Sequence, residues 1–198
     1  MSFKSDMEKI KEYAKIENVP IMLDDGIDFL IKLIKKENVK NILEVGTAIG
    51  YSAIMMANIN SDIKITTIEK DEKRYLEALK NIKKFDMEKR ITPVFNDALE
   101  VTLDKQYDLI FLDAAKGKNI DFLERFEHNL KSGGYFVTDN INFHGYTLKD
   151  ESEIKSKNLR GLVRKIKKYI EYLKNNPKYD VEFFNIGDGI AVCKKKGE

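Results

Sequence analysis

Apolar residues along this chain keep two spacings, and the spacing switches from segment to segment. Near the N-terminus Ile27, Leu30, Ile31 and Ile34 recur at i, i+3, i+4 and i+7, which predicts a one-faced helix; residues 5–18 read as another before it. Short, mainly apolar runs follow, bounded by turn residues: 42–45, 63–68, 91–95, 107–112 and 135–138. Runs of this length predict buried strands. Pro93 puts the third near a sheet edge, because proline cannot donate to a ladder.

Helical spacing returns between the strands. It predicts helices near 52–58, over 72–85 with Tyr75, Leu79 and Ile82 inward, briefly over 97–103, and over 119–130 with Leu123, Phe126 and Leu130 inward. Ser132-Gly133-Gly134 reads as a turn. The longest helix, 159–173, puts Leu159, Leu162, Val163, Ile166, Ile170 and Leu173 on one face. Two last runs, 181–186 and 190–193, are joined only by Gly187-Asp188-Gly189, so their strands must be antiparallel. The alternation predicts an α/β, Rossmann-like fold whose mostly parallel sheet ends in a C-terminal antiparallel hairpin. We expect one domain over residues 1–198, with 1–38 a helical cover and 39–198 the core.

Composition narrows the class. Hydrophobic residues at 42% and charged residues at 34% are ordinary for a globular chain. No apolar run reaches the roughly 18 residues of a membrane span, and the charged N-terminus does not read as a signal peptide. The lone Cys193 lies in an apolar run and reads as core; a cytoplasmic protein without disulfides is expected. The net charge of +2 is uneven, since residues 155–178 hold nine Lys/Arg against one Glu. Such a segment suits an acidic partner, with nucleic acid the leading candidate, or else a solvated helix face.

The first strand runs into Gly46-Thr47-Ala48-Ile49-Gly50 and then a helix, a strand–turn–helix unit of the kind that binds nucleotides. Glycines allow close backbone approach, and a helix start offers N–H groups to an anion. Glu69, 23 residues after Gly46, stands where an acidic side chain can hold ribose hydroxyls. The spacing is G-x-x-x-G rather than the dinucleotide G-x-G-x-x-G. Glu44 beside the turn disfavours a pyrophosphate and suits a ligand with a cationic end, such as S-adenosylmethionine; a tight turn without a ligand is the bland alternative. At other strand ends stand Asp113, Asp139 and Asn140, a hard-oxygen set suited to Mg²⁺ or Mn²⁺. Lys116 follows Asp113 by three residues, and a nearby cation would favour its neutral, basic form.

These motifs together resemble the cation-dependent O-methyltransferases of the catechol and caffeoyl-CoA type. The resemblance rests on residues 44–52, on Asp113-Ala114-Ala115-Lys116 and on Asp139-Asn140, and it covers nearly the whole chain. Within that family the chain resembles the bacterial branch that methylates 5-hydroxyuridine at the tRNA wobble position. Residues 19–22 and 46–54, Asp113 to Gly117, and Gly187-Asp188-Gly189 with its basic tail carry that finer likeness.

The resemblance implies roles. Met22, Glu44, Gly46 and Ser52 would surround the methionine end of the cofactor, with Ser52 on its carboxylate. Glu69 would hold the ribose, and Asp97 with Ala98 the adenine. Asp113 would serve cofactor and metal, Asp139 and Asn140 would complete the metal site, and Lys116 would be the base. A tRNA anticodon loop would meet Phe143, His144, Arg160, Arg164 and Lys168, and a homodimer is expected. The loop after Asn140 departs from the family pattern in carrying His144 before Gly145. A small catechol-type substrate is the alternative; a cofactor-binding protein without catalysis and an NAD-dependent oxidoreductase are more distant ones.

Overall fold

The computed structural model describes residues 2–197. Two helices, α1 (Phe3–Ile16) and α2 (Asp24–Lys36), precede the core. The core then alternates: β1 (Asn41–Val45), α3 (Tyr51–Ala57), β2 (Lys64–Glu69), α4 (Glu72–Lys84), β3 (Ile91–Phe95), β4 (Tyr107–Leu112), α5 (Asn119–Phe126), β5 (Leu130–Asp139), α6 (Lys157–Lys174), β6 (Tyr179–Phe184) and β7 (Ile190–Lys195). The seven strands form one sheet in the order β3-β2-β1-β4-β5-β7-β6. Strands β1 to β5 pair in parallel, and β7 lies antiparallel between β5 and β6. This is the Rossmann-like sheet with a terminal hairpin that the pattern predicts, and Pro93 does sit on the edge strand.

The strands read as mainly apolar runs because helices cover both sheet faces. On one face Ile42, Ile65, Leu109 and Val137 pack under α1 to α4; on the other Leu43, Ile110, Phe136 and Cys193 pack under α5 and α6. Cys193 is fully buried, and burial pushes its thiol up to about 12, so it packs as an inert core residue. Tyr169 of α6 bonds Thr138 of β5 at 2.6 Å and fixes that helix to the sheet.

Three local expectations fail. Residues 97–103 form a turn and an extended stretch, not a helix, because Asp97 turns back to accept from Leu99 N. Helix α4 buries Ala78, Asn81 and Ile82 and leaves Leu79 exposed, since the Asn81 amide reaches Ile49 O at 2.9 Å and turns that stripe inward. The Ser132-Gly133-Gly134 turn is absorbed into β5 next to a register shift against β4, with Gly133 at φ +74°.

Candidate active site

The site lies where open α/β sheets bind ligands, beyond the C-terminal ends of the parallel strands. A cavity of about 590 Å³ opens there. Strand β1 delivers Gly46, β2 Glu69, β3 the Asn96–Asp97 turn, β4 Asp113, and β5 Asp139 and Asn140. Residues 20–23, between α1 and α2, close one side.

Gly46 is at φ +104°, and a Cβ there would lie 2.4 Å from the Asp113 carbonyl oxygen. Only glycine lets the ends of β1 and β4 approach so closely. Glu69 is held by backbone donors on both oxygens: Oε2 accepts from Ala48 N at 2.8 Å, and Oε1 from Lys70 N and Asp71 N at 2.9 Å each. This fixes the carboxylate at the cavity wall before any ligand arrives. Asp97 accepts from Leu99 N at 3.0 Å and pairs with Lys70 at 3.3 Å; the backbone donor holds its carboxyl below the usual range. Met22, Gly46, Glu69, Asp97, Ala98 and Asp113 all line the cavity.

Glu44 and Ser52 do not. They face each other beneath the turn, where Glu44 accepts from Ser52 Oγ and Thr67 Oγ1 at 2.5 Å each. Glu44 has no exposed surface, and burial pushes its carboxyl up to about 8. The Glu44–Ser52–Thr67 network braces the turn from behind, and nothing in the pattern of apolar and polar residues distinguishes that position from a cavity-facing one.

The acidic end gathers Asp113, Lys116, Asp139 and Asn140. Lys116 Nζ lies 2.6 Å from Asp113 Oδ1, both side chains being largely buried. Asp139 is 3% exposed; its burial and the neighbouring Asp113 charge push its carboxyl up to about 7. Asn140 sits at φ +62° and donates to Asp188 Oδ2 at 3.4 Å. Asp188, in the β6–β7 turn, also accepts from His144 N at 2.5 Å. It lines the cavity with Phe143 and His144. Read as a hairpin turn in the sequence, Asp188 is a cavity residue that sequence spacing does not reveal.

These oxygens are the donor type that Mg²⁺ takes, but the expectation of a metal-binding centre needs correction. No group of three or more His, Cys, Asp or Glu placed to hold a metal occurs among the described residues. Asp113 and Asp139 with one amide oxygen supply half of an octahedron. The chain alone builds no closed metal cage.

The cover segment is anchored from both ends of α2's first turn. Asp24 pairs with Lys11 at 2.7 Å and accepts from Tyr51 Oη at 3.3 Å. Asp25 Oδ2 accepts from Gly187 N at 3.0 Å, joining α2 to the turn that carries Asp188. Neither aspartate is distinguishable in the sequence from a helix-start acid.

A family model described as O-methyltransferase matches residues 4–196. The chain belongs to this O-methyltransferase family. It is an S-adenosylmethionine-dependent O-methyltransferase. A caffeoyl-CoA O-methyltransferase of Stellaria longipes is 31% identical over 212 aligned positions, covering 98% of this chain and 86% of that protein. A candidate caffeoyl-CoA O-methyltransferase of Arabidopsis thaliana is 30% identical, covering 94% of this chain and 82% of that one. The crystal structure of a candidate caffeoyl-CoA O-methyltransferase from Staphylococcus aureus superposes with a TM-score of 0.91 at 40% identity, covering 96% of this chain and 91% of that one.

These relatives overturn the tRNA expectation, since the chain aligns over nearly its whole length with caffeoyl-CoA-type enzymes. The methyltransferase's own geometry agrees. Arg160 donates to Ile154 O and Lys155 O at 2.6 and 3.1 Å, and Arg164 pairs with Glu151 at 2.6 Å. Both guanidinium groups are engaged by residues 151–155 of the loop after Asn140, and of the three only Lys168 makes no ion pair or side-chain hydrogen bond among the described residues. None of the three lines the cavity. Among the described residues no helix is long and apolar enough to cross a membrane.

Proposed function

We propose that this methyltransferase acts on a small catechol-type molecule, methylating one of two adjacent oxygens on a ring with the help of a divalent cation. One observation carries the reading. A single apolar-walled cavity holds both the fixed Glu69 carboxylate and the group of Asp113, Lys116, Asp139 and Asn140. The cavity's size suits a cofactor with a small substrate beside it.

In this reading Glu69 receives the ribose hydroxyls of S-adenosylmethionine, Asp97 and Ala98 the adenine, and Gly46 the methionine end, while Met22 packs over them. A divalent cation, when bound, supplies a Lewis acid that lowers the pKa of a substrate hydroxyl. Asp113, Asp139 and the Asn140 amide oxygen would hold it. Phe122, Phe143 and His144 wall the ring and exclude water. Lys116 takes the proton from the acceptor hydroxyl as that oxygen attacks the methyl carbon in line with the departing thioether.

The experiment compares a 3,4-dihydroxyphenyl substrate with its 4-hydroxy analogue, each with and without chelator. The diol should be methylated, chelator should stop it, and Mg²⁺ should restore it. Equal rates on both substrates in chelator would refute the cation-assisted catechol reading.

A further inference from the structure

At the opposite end of the sheet lies a second hollow, of about 320 Å³. Among the described residues no helix lies over the face of β2 and β3 near their N-terminal ends, and the space is bounded instead by the loop that enters β4. Asn41, Lys64, Thr66 and Thr92 stand in matched register on β1, β2 and β3, so their side chains share one sheet face. Lys89 and Arg90 precede β3, and Lys105 and Gln106 precede β4.

The lining is unusual in its charge and in its floor. Lys64, Lys89, Arg90 and Lys105 converge on it, and no carboxylate lines it. The nearby Asp108 does not line it: its carboxylate pairs with Lys131 at 2.7 Å and accepts from Lys40 N, Asn41 N and, at 3.4 Å, the Asn41 side-chain amide. Arg90 donates through Nη1 to Ala57 O and Asn60 O, neither of which lines the hollow, so its charge is held in a fixed place beside it. At the floor Tyr107 is 2% exposed, and its hydroxyl, close to Thr66, makes no hydrogen bond of good geometry. A buried hydroxyl without a partner is costly, and such a group is commonly explained by a ligand or an ordered water.

We propose that this hollow is a second binding site, for a small phosphate-bearing anion, separate from the methyl-transfer cavity. A phosphate group has the charge for three lysines and an arginine and the acceptor oxygens for hydroxyl donors. The volume holds a single small molecule rather than a polymer. Lys64, Lys89 and Lys105 supply the charge, Arg90 adds a fixed positive charge beside them, and Thr66, Thr92 and Tyr107 are the neutral donors below. The two sites are separated by the length of the strands, about 17 Å for five residues.

The test uses the full chain. Inorganic phosphate, and separately glycerol phosphate against glycerol, is titrated at constant ionic strength while backbone amide signals are followed by NMR. Saturable shifts are expected at residues 64–66, 90–92 and 105–107, with Gly46 and Asp113 unmoved. The two phosphate arms distinguish free phosphate from a phosphate monoester, and glycerol should do nothing. A Lys64→Ala, Lys105→Ala double variant should bind about tenfold more weakly or worse, the scale of lost charge-assisted bonds. Tyr107→Phe should weaken binding by a smaller factor. Methyl transfer without phosphate should be unchanged in the double variant, which shows that it folds. No saturable shift, shifts confined to the methyl-transfer cavity, equal shifts with chloride, or full affinity in the double variant would overturn the proposal.

Discussion

Replacing Glu44 with Gln should leave stability in acid nearly unchanged and raise it in weak alkali. Burial pushes the Glu44 carboxyl from 4.5 up to about 8, against hydrogen bonds from Ser52 and Thr67 and with a smaller push from the Asp113 and Glu69 charges. At neutral pH the native protein therefore holds the protonated acid, while the unfolded chain has released the proton. Between the two values the folded state binds more protons, so stability falls as pH rises. The contribution is complete below 4.5 and is lost as pH passes through about 8. The slope inside that window is about 1.4 kcal/mol per pH unit, a few kcal/mol in total. Gln has no proton to lose and copies the neutral acid. Its oxygen accepts from Ser52, and its NH₂ donates to Thr67, whose hydroxyl can turn to Thr47 at 2.6 Å. Urea unfolding of the cofactor-free protein from about pH 5 to about pH 8 reads the difference. The variants should agree to within about 1 kcal/mol at the acid end, with Gln ahead by a few at the other. Parallel pH profiles would mean that Glu44 is ionised in the native state and would refute the reasoning.

Gly46→Ala should lower stability by at least about 2 kcal/mol, from positive-φ strain and the clash with the Asp113 carbonyl; an unchanged urea midpoint would show that the two strand ends can part freely. Glu69→Ala should weaken S-adenosylmethionine binding by about 1–3 kcal/mol in calorimetry, and unchanged affinity would remove Glu69 from the ribose site. Asp139→Ala should cut turnover by about a hundredfold or more while cofactor affinity holds, and turnover near wild type would remove Asp139 from the cation site. Arg164→Ala should cost less than about 1 kcal/mol overall, because the Glu151 pair is exposed, yet speed amide exchange across residues 149–155; unchanged exchange would mean that the pair does not hold the loop.

How much of this was legible in the sequence depends on what kind of signal each residue leaves. The strands from β1 to β5 were readable because double burial writes a mainly apolar, β-branched and aromatic run, and the hairpin because three residues allow only one connection. Asp113, Lys116, Asp139 and Asn140 were readable as a group because each follows a strand end, where ligands bind whatever the side chain. Glu44 and Ser52 belong to the same motif and face away from the cavity. Alternation along β1 tells which residues share a face, but not that two polar ones will satisfy each other under a turn. Asp188 and Asp25 were hidden for a related reason. Their partners lie far off in sequence, 162 residues for the Asp25–Gly187 bond, and a long-range hydrogen bond leaves no local period. The missing helix at 97–103 failed through Asp97, whose side chain offered the backbone a competing partner.

The basic helix shows why charge counted along a chain misleads about partners. Nine cations against one anion over residues 155–178 describe a segment, not a surface. What a polyanion meets is the set of charges left over after the fold has used its own. In α6 the cations that face residues 149–155 are already engaged: Arg160 on two carbonyls, Arg164 on Glu151 and Lys167 on the Lys149 carbonyl at 3.0 Å. The loop they hold continues directly from Asn140, Phe143 and His144 at the cavity wall. So the same residues that suggested an RNA surface are engaged in holding the loop that leads away from the cavity wall. At the other end of the sheet Lys64, Lys89 and Lys105 make no ion pair among the described residues, although no run of like charge marks them in the sequence. Unneutralised charge is a property of packing, and it appears where the fold has left a face uncovered.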